Sequence, residues 1–125
     1  MTGKERNRAI LFYEWLRRPD EDLGTAQLLL DQKKYPSAAL FHSQQAVEKL
    51  LKGLLILEGF DIKDEFKTHS LPRLFNELQK TKLELSAEFK DICKRLTKYY
   101  EMRTGVKDAH KAREEVLEKS GLEVK

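Results

Sequence analysis

One segment, residues 35–57, constrains the fold of this chain more than any other. It reads YPSAALFHSQQAVEKLLKGLLIL, and its apolar residues recur at helical steps over more than half of a helix circumference. A helix with so wide an apolar surface is stable in water only when other helices cover it on several sides. The segment therefore predicts the central helix of a bundle. A polar strip is set into the apolar surface, and it consists of Gln45, Glu48, Lys49 and Lys52.

The segments before and within the central helix show where the helices begin and end. A first run begins near Glu5 and meets Pro19. There the helix either kinks, or it ends near Arg17 and restarts with the proline in its first turn. The central helix is predicted to begin at Tyr35–Pro36 and to end near Gly59.

The second half of the chain also follows helical patterns. After a predicted loop over residues 60–68, Ser70 and Ser86 are favourable N-caps and predict the starts of two further helices. Gly105 is expected to break or bend the chain, and a last amphipathic helix is predicted over Asp108–Lys119. No strand pattern occurs, so the predicted fold class is all-α, an antiparallel bundle of four to five helices.

Length and composition limit the number of domains and the cellular location. The chain has 125 residues, enough for one core, and we expect one helical domain over residues 1–125. Within it we expect an N-terminal helical extension over residues 1–18 and a frayed tail over residues 120–125. The N-terminus lacks the apolar stretch of a signal peptide. The apolar run at residues 50–57 is too short to span a bilayer, so we expect a cytoplasmic protein without a membrane partner.

Charge and cysteine content exclude some kinds of site. Cys93 is the single cysteine, which excludes an internal disulfide and a thiolate zinc cluster, and we expect it as a small buried hydrophobe. The net charge of +3 does not by itself indicate a nucleic-acid partner. Residues 80–113 hold ten Lys or Arg against five Asp or Glu, which fits either a solvated mixed-charge face or a phosphate-facing surface.

Several blocks of the sequence carry a resemblance to a known family. The block FHSQQAVEKLLKGLLILEG, followed by Thr68-His69-Ser70-Leu71, resembles the HEPN domain family. The upstream stretch EWLRRPDEDLGTAQLLLDQKKYPSAA and the later stretch DICKRLTKYYEMR fit the same pattern, so the resemblance runs from about Glu14 to about Arg103. It implies a HEPN-like helical bundle that forms a homodimer and needs no cofactor.

The resemblance leaves three functions open, because such domains serve both as nucleases and as non-catalytic modules. The first is a module that binds nucleotide or RNA and acts with a separately encoded nucleotidyltransferase-type partner, as in a toxin–antitoxin pair. The second is a metal-independent endoribonuclease. The third is a non-catalytic dimerisation module.

Arg103 and His110 are the catalytic candidates. Catalytic HEPN domains carry an arginine and a histidine separated by four to six residues, and RTGVKDAH places six residues between Arg103 and His110, the upper limit of that spacing. A histidine transfers protons near neutral pH, and a guanidinium holds a phosphate and its developing charge. The resemblance implies a site at a homodimer interface, with the ribose 2′-hydroxyl as nucleophile and no metal. Thr104 departs from the Asn, Asp or His that more often follows the arginine in nucleases.

Six residues are candidates for binding nucleotide or RNA, each with a structural alternative. They are Lys98, Tyr99, Tyr100, Gln45, Lys49 and His69. The tyrosines would stack a base beside Lys98, or else pack in the core and close the end of the bundle. The polar strip would line a ligand groove, or else form solvated surface with a Glu48–Lys52 pair. His69 would contact a ligand, or else hydrogen-bond a neighbouring helix.

The N-terminal aromatic residues are a further candidate surface. Phe12, Tyr13 and Trp15 would anchor a subunit interface, because Trp and Tyr are enriched at such sites. The alternative is that they pack against the body of the same chain.

Overall fold

The structure is a computed structural model that describes residues 1–60, 68–98 and 101–122. All regular secondary structure in these ranges is helical, which confirms the all-α prediction. The helices are α1 (Gly3–Trp15), α2 (Arg17–Gln32), α3 (Pro36–Leu57), α4 (Leu71–Gln79), α5 (Ala87–Thr97) and α6 (Met102–Ser120). No helix in the described ranges is both long enough and apolar enough to cross a membrane.

The helix ends follow local capping chemistry. The Ser70 hydroxyl accepts from the Arg73 N–H at 3.4 Å, and the Ser86 hydroxyl accepts from the Phe89 N–H at 3.0 Å, so both predicted N-caps are confirmed. The central helix α3 begins at Pro36 and ends at Leu57. Gly59 follows with a φ of 92°, a conformation that glycine adopts without strain, which confirms the predicted stop.

Pro19 lies just after a junction between two helices. The second sequence alternative, in which one helix ends and another restarts with the proline in its first turn, is therefore confirmed. The first helix ends at Trp15, and α2 begins at Arg17 with the buried Pro19 in its first turn. A proline is tolerated there because the N–H that it lacks would have no partner inside the helix. Leu16 joins the two helices and keeps helical dihedral angles, with φ −57° and ψ −21°, so α2 restarts directly after α1 ends.

The core is built around α3, which contacts each of the other five described helices. Side chains with no measurable exposure line much of its length, among them Val47, Leu50, Leu51, Leu54 and Leu55. A smaller cluster of Ala26, Ala39 and Val106 joins α2, α3 and α6 at the other end of the helix. The prediction of a central helix covered on several sides is therefore confirmed.

Gly105 does not interrupt the last helix, and the predicted break is wrong. The helix α6 begins at Met102 rather than at Asp108 and continues through Gly105, which is buried. A Cβ built on this glycine would lie 2.5 Å from Cδ2 of Leu40 on α3. A side chain at this position would have to displace the Leu40 side chain where α6 approaches α3, a contact that local sequence does not reveal.

The N-terminal aromatic residues pack within the chain, and the predicted subunit interface is wrong for Phe12. Phe12 is fully buried in the main core. The Trp15 indole N–H donates to the Lys49 carbonyl at 2.6 Å, and its ring lies 3.0 Å from a Cβ built on Gly53. Tyr13 is partly buried against the same core. The chain before Pro19 thus contributes buried residues to the bundle.

Candidate functional site

An open groove of about 780 Å³ lies where α2 ends and where α3 and α6 begin. We call it the Arg103 groove, and its lining residues are Leu30, Asp31, Lys33, Pro36, Glu101, Met102 and Arg103. Arg103 is exposed, and among the described residues it forms no ion pair. Its guanidinium is therefore available to an anionic ligand.

The turn between α2 and α3 shapes one wall of this groove. Lys33 and Tyr35 both adopt left-handed backbone conformations, with φ values of 54° and 52°. Such conformations cost about 1 kcal/mol or more for a residue with a side chain. The Lys33 N–H donates to the Leu30 carbonyl at 3.0 Å, which closes α2 and places Lys33 at the groove. Tyr35 lies between two lining residues, and 68% of its surface is exposed.

Arg103 and His110 lie on the side of α6 that faces α2. His110 is partly buried, and its Nε2 lies 2.9 Å from Oε1 of Gln27 on α2. The Gln27 amide donates in turn to Oδ1 of Asp31 at 2.8 Å, and Asp31 lines the groove beside Arg103. One continuous α6 thus holds both catalytic candidates, because positions seven apart return to the same helix face.

Sequence reasoning missed Gln27 and Asp31 as partners of the candidate site. Their spacing of four residues on a helix was a signal for a pair, since Gln and Asp at i and i+4 hydrogen-bond each other. The contact with His110 spans 83 positions of sequence and depends on how α2 packs against α6. Only the tertiary structure supplies that contact.

A second, smaller cavity of about 270 Å³ contains Gln45 and His69. We call it the Glu48 cavity, and its lining residues are Gln44, Gln45, Glu48, His69, Ser70, Leu71, Leu96 and Thr97. Lys98 follows at the end of α5 and is exposed. The structure therefore brings Gln45 and His69 together in one cavity. Lys98 is next in sequence to Thr97, which lines that cavity.

The predicted Glu48–Lys52 pair is present, but the predicted solvation of the polar strip is wrong for these two residues. Their side chains are 6% and 10% exposed, and Lys52 Nζ lies 3.1 Å from a Glu48 carboxylate oxygen. His69 Nδ1 lies 3.1 Å from the other oxygen, although the histidine side chain is 79% exposed. The alternative for His69, a hydrogen bond to a neighbouring helix, is thus present.

Lys49 is separated from the other binding candidates. Its Nζ lies 2.6 Å from one oxygen of Asp22, whose other oxygen contacts His42 Nδ1 at 2.8 Å. Asp22 is largely buried, so this pairing directs Lys49 towards α2 and leaves it out of the Glu48 cavity. The remaining candidates, Tyr99 and Tyr100, lie outside the described residues.

The buried environment of Cys93, the single cysteine, indicates a structural role. Cys93 is 1% exposed, and burial raises the pKa of its thiol to about 12, with the negative charge of Glu115 as a second cause. A thiol with so high a pKa is a poor nucleophile at neutral pH, since the thiolate is the reactive form. Among the described residues, no group of three or more His, Cys, Asp or Glu side chains is placed to hold a metal ion.

Comparison with known proteins decides the family. The family model described as "HEPN domain" matches residues 12–119, from the last turn of α1 to the last turn of α6. The chain belongs to the HEPN domain family. The predicted HEPN-like bundle is therefore confirmed, and the match includes both Arg103 and His110.

A curated relative of this HEPN chain adds a functional indication. It is named "Putative toxin MJ1304", comes from Methanocaldococcus jannaschii, and is 38% identical over 71 residues, which are 56% of this chain. The alignment covers 43% of the relative, so it spans less than half of that protein's length. No solved structure matches the HEPN chain with significance.

Proposed function

We propose that this HEPN protein is the toxin of a toxin–antitoxin pair and binds RNA in the Arg103 groove. It acts in the cytoplasm as a homodimer beside a separately encoded nucleotidyltransferase-type partner. The relative's name supports the toxin role, and the family resemblance supports the dimer and the partner. Expression of the chain alone is expected to arrest growth, and co-expression of a nucleotidyltransferase-type protein from the same organism should restore it.

The single observation that carries RNA binding is the Arg103 guanidinium at the edge of a wide groove, where it forms no ion pair with any residue that the structure describes. The groove volume of about 780 Å³ exceeds that of the Glu48 cavity, at about 270 Å³. Lys33 adds a second cation to a lining that also holds the carboxylates of Asp31 and Glu101, and the exposed Tyr35 lies two residues after Lys33. Cations beside an exposed aromatic ring are the combination that binds single-stranded nucleic acid, through phosphate contacts and base stacking.

The test is a titration with a labelled single-stranded oligoribonucleotide, followed by fluorescence anisotropy at about 50 and about 200 mM salt. Affinity is expected to fall as salt rises, because binding releases counterions from the phosphates. Arg103→Ala should weaken binding and reduce the salt slope by about 0.7, the value for one lost contact to a single strand.

Lys82→Ala is the matched control. Lys82 is exposed in the connection between α4 and α5, so its replacement removes the same charge at the other end of α5. It should leave the affinity unchanged. Equal losses in the two variants would show that the basic surface binds RNA without a site. Absent or salt-independent binding would contradict the proposal and favour the dimerisation module.

A second candidate function, metal-independent endoribonuclease, is favoured by the shared placement of Arg103 and His110. His110 would remove the proton from a ribose 2′-hydroxyl, whose oxygen then attacks the adjacent phosphorus. Arg103 would hold the phosphate as negative charge develops on it. The bond from phosphorus to the 5′-oxygen breaks, and that oxygen takes a proton from a protonated imidazole or from water. The products are a 2′,3′-cyclic phosphate and a 5′-hydroxyl.

Cleavage is tested by incubating RNA with the protein in excess chelator and comparing wild type with His110→Ala. A drop of about a hundredfold or more is expected for the variant, the usual contribution of a positioned acid or base. Equal rates in the two proteins would remove the endoribonuclease candidate and leave RNA binding as a separate question.

A further inference from the structure

Gln27 is the one described side chain that hydrogen-bonds the imidazole of His110. It lies in the middle of α2, and its amide bridges two groups, with Oε1 2.9 Å from His110 Nε2 and Nε2 2.8 Å from Asp31 Oδ1. All three side chains lie where α2 packs against α6. The Arg103–His110 motif does not include Gln27.

Asp31 fixes the orientation of the Gln27 amide. A carboxylate oxygen can only accept a hydrogen bond, so the amide nitrogen of Gln27 must point towards Asp31. The amide oxygen then points towards His110, and an amide oxygen can also only accept. His110 Nε2 must therefore carry the hydrogen in this bond, which selects one of the two neutral tautomers of the imidazole.

The other ring nitrogen, Nδ1, is thereby left as the proton acceptor of the neutral ring. Within the described residues no side chain or backbone group bonds it, and no buried side-chain nitrogen or oxygen lacks a partner. Nδ1 is therefore reachable from solvent. We propose that Gln27 is a positioning residue that holds His110 in the Nε2–H tautomer and presents Nδ1 to the RNA. The proposal rests on the endoribonuclease function of the preceding section.

The first test reads the tautomer directly and does not depend on activity. In ¹⁵N NMR spectra of the whole chain with its imidazoles neutral, Nε2 of His110 should show the shift of a protonated nitrogen and Nδ1 that of an unprotonated one. Gln27→Leu removes the acceptor and should give a mixture of tautomers. Gln27→Lys offers only a donor and should move the hydrogen to Nδ1. A wild-type ring protonated on Nδ1, or a tautomer indifferent to both substitutions, would overturn the proposal.

A pair of substitutions tests the role of Asp31. In Gln27→Glu combined with Asp31→Asn, the new carboxylate still accepts from His110 and the new amide still donates to it. This double variant should keep the wild-type tautomer, and Gln32→Leu, an exposed position at the end of the same helix, should keep it too. A mixture of tautomers in the double variant would show that the bridge does not act as described.

Cleavage then tests whether this positioning matters for the reaction. For Gln27→Leu we expect kcat to fall about tenfold or more with KM within about twofold, and the double variant should recover most of that loss. If Gln27→Leu gave a mixture of His110 tautomers and still cleaved RNA at the wild-type rate, the positioning role of Gln27 would be overturned. If wild type does not cleave RNA, the endoribonuclease candidate fails and the role of Gln27 in cleavage fails with it. The NMR result would still show whether the hydrogen bond is correct.

Discussion

The buried pair of Glu48 and Lys52 gives the sharpest prediction about stability. Their side chains are 6% and 10% exposed and lie 3.1 Å apart in the middle of the central helix. Removing one member of a buried pair leaves an uncompensated charge and costs about 3–5 kcal/mol. We therefore expect Glu48→Leu to lower the free energy of unfolding by that amount. Domains of this size are stable by about 5–15 kcal/mol, so the loss is a large fraction of the total.

The double variant separates a charge effect from a packing effect. In Glu48→Leu/Lys52→Leu no unpaired charge remains, and replacing a buried pair by apolar residues is neutral or stabilising by about 1–4 kcal/mol. We expect the double variant to be at least as stable as wild type. The assay is guanidinium denaturation followed by circular dichroism, with the denaturant slope compared among variants to confirm that the unfolding transition is unchanged.

An exposed pair provides the reference value. Lys80 and Glu77 lie 3.0 Å apart, with side-chain exposures of 70% and 31%. Exposed pairs contribute about 0–1 kcal/mol, so Glu77→Ala should have little effect. If Glu48→Leu costs no more than Glu77→Ala, the Glu48–Lys52 pair is solvated and the reasoning from burial is wrong.

Two further predictions concern glycine packing and pH. Gly24→Ala should stabilise α2 by about 0.5–1 kcal/mol, because no atom lies within 4 Å of its Cβ position. Gly105→Ala should destabilise by about 1–3 kcal/mol, because the new Cβ lies 2.5 Å from Leu40, and both values are measured by thermal or denaturant unfolding. Equal effects at the two glycines would contradict the close approach of α3 and α6. Burial raises the Cys93 pKa from 9.0 to about 12, so the unfolded thiol ionises first and wild-type stability should fall relative to Cys93→Ala as pH rises above about 9. A constant difference between the two proteins from pH 8 to 11 would show that the thiol is not held protonated.

The parts of the fold that sequence predicted depend on local patterns. Apolar spacing identified the central helix, and serine side chains identified the starts of α4 and α5, because caps and helix faces are determined by residues a few positions apart. Gly105 was misjudged for the opposite reason. Its role depends on Leu40, which is distant in sequence and adjacent in space.

The sequence predicted the part of the candidate site that lies on one helix and missed the parts that several helices build together. The Arg103–His110 spacing was readable because both residues lie on one helix. The groove beside them needs the ends of α2 and α3, and the tautomer of His110 depends on Gln27, which local sequence does not connect to α6. Burial of Glu48 was missed because Gln44 and Lys52, one helical turn away on either side, are also polar. In the fold Glu48 shares a cavity with Leu71 of α4 and Leu96 of α5.

The most direct test of the central claim is where RNA binds. A titration of the ¹⁵N-labelled protein with a short oligoribonucleotide, followed by amide shift changes, distinguishes the two cavities. The proposed function predicts that the largest changes fall on Asp31, Lys33, Met102 and Arg103 and that Arg103→Ala shifts them to higher RNA concentration. Changes centred on Gln45 and His69, or no changes at all, would contradict an RNA site in the Arg103 groove.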